Sequence, residues 1–311
     1  MSKQKVELLS PAGNLEKLKI AIKYGADAVY GGVSHFSLRI RASKEFTYET
    51  FKEAIDYAHE RGKKVYATIN GFPFNSQIEL LKTHIKKMAE LKPDAFIVAA
   101  PGVVRLCREI APEIDIHLST QANVLNYLDA QVFWDMGVKR IVVAREISLK
   151  DVMEIKKHLP DMEIEIFVHG SMCFAYSGRC LISAVQMGRV PNRGSCANDC
   201  RFEYTLYAGN DEHGSLFRLE EEPGVGTYIF NSKDMNLASH IQEILDSGAV
   251  DSLKIEGRTK SPYYAAVTAK AYREAIDDYY AGKFEPEKYQ KELHTTKNRG
   301  FTDAYLIHKP F

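Results

Sequence analysis

The chain has 311 residues, of which 45% are apolar, enough for one large hydrophobic core or two small ones. Its 41 basic residues balance 41 acidic ones, which excludes a globally basic nucleic-acid-binding protein but not a local basic patch. The N-terminus has no signal-peptide pattern, and no run approaches the roughly 18 apolar residues needed to span a bilayer. We therefore expect a cytoplasmic protein without a membrane partner.

Along the first two-thirds of the chain, short β-branched runs alternate with amphipathic helical patterns. Gly25, Gly62 and Gly137 follow three of these patterns, as is typical of helix C-termini. After a cysteine-rich segment, further helices are predicted near 236–247 and 261–281. The predicted strands lie at 6–10, 27–32, 64–70, 95–100, 114–120, 140–145, 163–170 and 251–257.

Alternation of mostly apolar strands with helices is typical of a parallel sheet covered by helices. About eight strands favour an α/β protein with a (β/α)8 TIM-like barrel and a cysteine-rich insertion after strand seven. An open doubly wound sheet is the alternative, but no G-x-G-x-x-G motif follows the first strand. We expect the barrel to occupy 1–285, with the cysteine cluster at about 165–202, and 286–311 to form a C-terminal extension.

The predicted strands end in polar residues, and active sites of (β/α)8 barrels lie at the carboxyl ends of their strands. Polar loops after strands are common, so this convergence is moderate support for one shared site. The residues at these ends are Ser10, Asn14, Asn70, Ser119, Gln121, Asn123, Arg145, Glu146, His169, Glu256 and Arg258.

Four of the five cysteines fall inside one short window. In a reducing cytosol, clustered cysteines are more often metal ligands than disulfides. Structural zinc usually uses two tight C-x2–4-C pairs, and only the second pair is that tight, so the spacing favours an iron–sulfur cluster over zinc. Cys107 lies alone in a helical pattern and is expected to fill the core. The four clustered residues are Cys173, Cys180, Cys196 and Cys200.

Two residues near strand ends are candidates for catalysis. His169 comes four residues before Cys173, and imidazole titrates near neutral pH, which suits proton transfer. A core histidine bonded to a backbone carbonyl is an equally good interpretation. Glu256, after the last strand, is the second candidate.

Basic residues in three loops are candidates for anion binding, with a solvated loop as the alternative. Arg258 can grip a carboxylate in a bidentate fork, and Lys260 adds a point charge. Two other loops offer similar groups, which could bind a substrate carboxylate or an RNA phosphate. These groups are Lys233, Arg39 and Arg41, and Asp234 beside Lys233 is a further candidate for substrate binding.

The segment EIFVHGSMCFAYSGRCLIS, residues 165–183, resembles the signature of peptidase family U32. The blocks ELLSPAGN, GADAVYGG, HLSTQANV and NRGFTD are similar to other family segments, so the resemblance covers most of the chain. The NSKD and KIEGRTKS segments look most like the branch that forms 5-hydroxyuridine at the wobble position of tRNA.

This resemblance implies a tRNA substrate, a prephenate-like dicarboxylate as oxygen donor, and a [4Fe-4S] cluster on the four clustered cysteines. Longer relatives continue into a β-rich domain, which makes a longer paralogue a further candidate partner. Two alternatives stay open: a U32-type, collagenase-like peptidase and a non-catalytic subunit of a heteromeric RNA-modification complex. A peptidase has weak support because the chain has no G-x-S-x-G or H-E-x-x-H motif, and a nucleophile needs a lone thiolate.

Overall fold

The computed structural model describes most of the chain. The predicted anion-binding pair Arg39 and Arg41 lies outside the described residues. The described residues are 5–33, 36–37, 46–173, 175–176, 179–189, 191, 195–202, 204–205, 207–209, 214, 216–218 and 233–307.

Eight parallel strands close into a barrel, which confirms the predicted (β/α)8 TIM-like fold. The strands of the described chain are β1 (Glu7–Pro11), β2 (Ala28–Gly31), β3 (Lys64–Ile69), β4 (Ala95–Val98), β5 (Asp115–Leu118), β6 (Arg140–Val142), β7 (Glu163–Ser171), β8 (Tyr207–Gly209), β9 (Leu216–Arg218), β10 (Asp234–Asn236), β11 (Ser252–Ile255) and β12 (Phe301–Thr302). Strands β1 to β7 pair in sequence order, and β11 pairs in parallel with both β1 and β7. The barrel strands coincide with the eight apolar runs predicted from the sequence.

Helices cover the barrel. They are α1 (Leu15–Lys23), α2 (Tyr48–His59), α3 (Ile78–Glu90), α4 (Pro101–Ile110), α5 (Tyr127–Asp135), α6 (Leu149–His158), α7 (Ile182–Met187), α8 (Ile241–Asp246), α9 (Pro262–Tyr280) and α10 (Pro286–Leu293). Asn14, Thr47 and Ser261 cap α1, α2 and α9 by accepting hydrogen bonds from backbone N–H groups. Within the described chain, no helix combines the length and apolar character that crossing a membrane requires.

Two strands outside the barrel extend its sheet beside β7. Strand β10 pairs antiparallel with the last residues of β7, and β12 pairs in parallel with β10. Helix α10 packs against α9. The described part of 286–311, which the sequence separates as an extension, therefore contacts the barrel.

A buried ion network fills part of the barrel interior. Glu165 is fully buried, and its two carboxylate oxygens accept bonds from Lys254 Nζ at 2.6 Å and Arg140 Nη1 at 3.1 Å. Arg140 also forms ion pairs with Glu7 and Glu163. Burial opposes ionisation of Glu165, but attraction to Lys254 and Arg140 prevails and lowers the pKa of this carboxyl group. Carboxylates and cations from four strands are therefore matched inside the barrel.

We expect Arg140→Met to lower the free energy of unfolding by about 3–5 kcal/mol, because Arg140 pairs with three carboxylates and its removal leaves Glu165, which is fully buried, with one cation fewer. Urea denaturation measures this change. The neighbouring Lys139→Met serves as the control, because Lys139 pairs with Asp115 at the surface and its loss should cost less than about 1 kcal/mol. Equal losses in the two variants would contradict a stabilising role for the network.

Candidate active site

A cavity of about 150 Å³ opens at the carboxyl ends of the barrel strands. Because all barrel strands run in parallel, their carboxyl ends meet at one rim, and the loops that follow them converge there. The predicted convergence of strand-end polar groups is therefore present at this cavity. Predicted site residues in its lining, besides the cysteines, are Asn70, Gln121, Glu256, Arg258 and Lys260.

All four clustered cysteines line this cavity. Cys180 is buried, and Cys173, Cys196 and Cys200 are half-buried. Cys107 is instead enclosed in the core on α4, where burial raises the pKa of its thiol to about 12. The predicted core role of Cys107 is confirmed. The other four cysteines, which are clustered in the sequence, lie together at one site.

A buried serine ties the two cysteine pairs together. Ser183, on α7 just after Cys180, donates from Oγ to Asp199 Oδ2 at 2.5 Å. The same oxygen accepts a hydrogen bond from the backbone N–H of Ala197 at 3.1 Å. Because Ala197 and Asp199 lie between Cys196 and Cys200, this serine fixes one cysteine pair relative to the other.

A second contact fastens the cysteine segment to the barrel. Arg179 Nε donates to the backbone carbonyl of Gln121 at 3.2 Å, in the loop that follows β5. The Gln121 side chain in turn accepts hydrogen bonds from Asn70 Nδ2 at 3.1 Å and from Ser119 Oγ at 2.9 Å. The loops after β3 and β5 therefore position the segment that carries Cys180.

The cysteine arrangement bears on which metal group it could hold. Within the part of the chain that the structure describes, no three His, Cys, Asp or Glu side chains are grouped as ligands of a single metal ion would be. A zinc ion draws four thiolates around one centre. In a [4Fe-4S] cluster each cysteine binds a different iron, so its ligands stand farther apart. Thiolates bind both groups, and the four thiols around one cavity supply the number of ligands that either would need.

Two arginines anchor the polar rim of the cavity. Arg145 Nη2 pairs with Glu256 Oε2 at 3.1 Å, and both residues are mostly buried. Arg258 is buried, and its Nη1 donates to Ser37 Oγ at 2.7 Å and Thr68 Oγ1 at 3.1 Å. The side chains of Arg145 and Arg258 are thus held in defined positions at the cavity wall.

A glycine in β7 lets this wall form. At Gly170, φ is +117°, and a Cβ atom there would lie 2.8 Å from the Cβ of Glu256. Only a residue without a side chain suits both the backbone angle and the close approach. Strands β7 and β11 therefore come together beside Glu256.

Three predicted site residues lie outside the cavity lining. Asn123 adopts a left-handed conformation, with φ of 62°, at the end of the turn after β5. Asp234 is buried and pairs with Arg299 at 2.7 Å. Lys233 is exposed. None of the three therefore lines the cavity, although Asp234 pairs in the sheet with Ser171, which does.

His169 also lies outside the cavity lining, and it is enclosed by aromatic rings. Its ring centroid lies 5.6 Å from that of Tyr272, 5.6 Å from that of Phe301 and 5.9 Å from that of Tyr264. Its Nδ1 contacts the hydroxyl of Tyr272 at 3.4 Å. Burial, aided by the charge of Lys260, lowers the pKa of His169 to about 3. Of the two roles that the sequence leaves open for His169, this location favours the core role over proton transfer.

Three cations of the cavity, Arg145, Arg201 and Lys254, are not among the site residues predicted from the sequence. Arg145 was recognised only as a strand-end residue, and Lys254 lies inside β11, where an apolar residue is usual. The alternation of side chains along a strand is the sequence signal that could have identified Lys254 as facing the cavity. Lys254, Glu256 and Arg258 are spaced two residues apart and all line the cavity.

A model described as peptidase family U32 matches residues 13–311. The chain is 72% identical over 306 residues to tRNA hydroxylation protein P of Helicobacter pylori, covering 98% of this chain and 72% of that protein. It is 42% identical over 339 residues to the Escherichia coli protein of the same name, covering 97% of this chain and 74% of that protein.

A solved structure of the U32 peptidase Mk0906 is similar in fold. Its TM-score is 0.53 at 15% sequence identity, and the match covers 83% of this chain and 95% of that one. Identity at this level supports the barrel fold alone. The family model and the two curated relatives go further, and they show that the chain belongs to peptidase family U32.

Proposed function

We propose that this protein is an RNA-modifying enzyme that hydroxylates tRNA, forming 5-hydroxyuridine at the wobble position. The observation that carries this proposal is a single barrel-mouth cavity lined by four cysteines together with several cations. Relatives at 72% and 42% identity are named as tRNA hydroxylation proteins, which supports tRNA as the substrate. A wobble base lies in a single-stranded loop and can enter a recessed site without opening a duplex.

The proposed cofactor is a [4Fe-4S] cluster. Cys173, Cys180, Cys196 and Cys200 would hold it, since all four thiols line the cavity. The cluster would supply the redox chemistry when bound, while the chain orients the substrates around it. The tie from Ser183 to Asp199 and the bond from Arg179 to Gln121 keep the cysteine segment over the barrel.

The proposed oxygen donor is a small dicarboxylate such as prephenate. Replacing C–H by C–OH on a base is an oxidation, so a co-substrate must provide the oxygen atom and accept the electrons. Cations outnumber carboxylates in the lining, and an anionic co-substrate would balance them. The lining cations are Arg145, Arg201, Lys254, Arg258 and Lys260, and the lining carboxylates are Asp199 and Glu256.

A thiol peptidase has less support from the same geometry. A nucleophilic cysteine needs a lowered pKa and a nearby base. Burial raises the pKa of the Cys173 thiol, and Arg145 opposes this effect only in part. In the described part of the chain no hydrogen bond joins Cys173 to His169, whose imidazole contacts Tyr272 instead.

The buried state of His169 predicts a pH dependence of stability. Because its pKa falls to about 3 on folding, the neutral imidazole contributes stability that is fully present above the unfolded pKa of about 6.5 and is lost as the pH falls. Between pH 7.5 and 5.0, urea denaturation should show that His169→Gln loses about 2 kcal/mol less stability than the wild type. Parallel pH profiles would show that His169 is accessible and charged in the folded protein.

The cluster proposal predicts about four irons, with matching sulfide, per chain after anaerobic purification. Each of the variants Cys173→Ser, Cys180→Ser, Cys196→Ser and Cys200→Ser should lose iron and the visible absorption band of the cluster. Cys107→Ser is the matched control and should keep the iron content of the wild type, because Cys107 lies in the core on α4. One zinc per chain, or no metal in the wild type, would refute the cluster.

Nucleoside analysis of tRNA tests the reaction itself. A deletion strain should lack wobble 5-hydroxyuridine and its derivatives; the wild-type gene and Cys107→Ser should restore them, and Cys173→Ser should not. Unchanged tRNA nucleosides in the deletion strain would contradict the proposed substrate. Purified protein that modifies tRNA only together with a longer family member would favour the alternative of a non-catalytic subunit.

A further inference from the structure

Lys254 is a buried cation at the inner end of the cavity. Its side chain lines the cavity, although the residue is only 4% exposed. It lies two residues before Glu256 on β11, which places it about 6–7 Å deeper along the strand. Strand β11 ends at Ile255, so Glu256 lies at the rim of the cavity.

The ammonium of Lys254 has donors left for a ligand. An ammonium carries three N–H donors. Among the described residues, Lys254 makes one hydrogen bond, to Glu165 Oε1 at 2.6 Å. Its Nζ also lies 4.4 Å from the ring centroid of Tyr30 and 5.5 Å from that of Phe167. Two N–H groups of a buried cation therefore stand beside aromatic rings at the base of an open cavity.

Beyond the contact of Lys254 with Glu165, aromatic and aliphatic side chains form part of the cavity wall. Tyr30, Ile97, Val142 and Phe167 line the cavity from four different strands. A buried cation beside apolar side chains complements a ligand with an anionic head and a hydrocarbon body. Inorganic phosphate lacks such a body.

We propose that Lys254 binds the carboxylate of a small cyclic or aromatic organic acid at the base of the cavity. The ring of the acid then lies along Tyr30 and Phe167, between Lys254 and the cysteines. This inference rests on the proposed function, in which such an acid is the oxygen donor. It assigns that donor an orientation in which one carboxylate points toward Lys254 at the base of the cavity.

The test is isothermal titration of prephenate into anaerobically purified protein of matched iron content, without tRNA. Lys254→Met should weaken binding about 10- to 100-fold, as expected for losing a hydrogen bond to a charged group. The surface variant Lys139→Met, whose lysine pairs with Asp115, should bind as the wild type does. Wild-type affinity in Lys254→Met would overturn the proposal.

A second variant separates ligand binding from a purely structural role. Lys254→Met leaves Glu165 with one cation fewer, whereas Lys254→Met/Glu165→Gln removes both partners and restores the charge balance of the core. If Lys254 contacts the acid, the double variant should bind prephenate as weakly as the single one. Recovery of wild-type affinity would mean that Lys254 serves only as the counter-ion of Glu165.

Competition identifies the kind of anion. Phenylpyruvate, which keeps a carboxylate and a ring, should displace prephenate in the wild type, and inorganic phosphate should not. Equal displacement by phosphate, or Lys254-dependent binding of an anticodon stem–loop alone, would overturn the proposal in favour of a phosphate site. Because these titrations contain no tRNA reaction, they can succeed even if nucleoside analysis disproves tRNA hydroxylation.

Discussion

Pairing of β11 with both β1 and β7 is the constraint on which the whole site depends. Without it the sheet has two open edges, and the cavity lacks the wall that carries Lys254, Glu256 and Arg258. With it, residues near position 254 stand beside residues near positions 8 and 167. Closure of the barrel thus places β11 between β1, the first strand of the chain, and β7, the strand that precedes the cysteines.

The ion network ties this closure to a single register. Charges buried without partners are costly, and those inside the barrel come from β1, β6, β7 and β11. A slip of β11 by one residue would turn Lys254 out of the interior and leave Glu165 without one of its two cations. Apolar alternation and charge pairing therefore select the same alignment of the closing strand.

Much of this architecture could be predicted from sequence because its signals are local. Each barrel strand is a short apolar run, and four cysteines in one window need no long-range information. Lys254 was missed because its partner Glu165 lies 89 positions away, so neither residue identifies the pair alone. His169 was ambiguous because a strand end does not reveal which face a side chain takes. Here the side chain faces α9 and β12, which supply the rings around it.

Strand β11 lies late in the sequence, and the chain is synthesised from its N-terminus. The order in which the parts of the site are made follows from this. Cys200 is the last of the four clustered cysteines to leave the ribosome, and β11 begins only later in the chain, at Ser252. During that interval the thiols exist without the strand that completes their cavity. The wall that carries Lys254, Glu256 and Arg258 is thus synthesised after all four cysteines, and the nascent chain holds the thiols before it holds the strand that closes the barrel beside them.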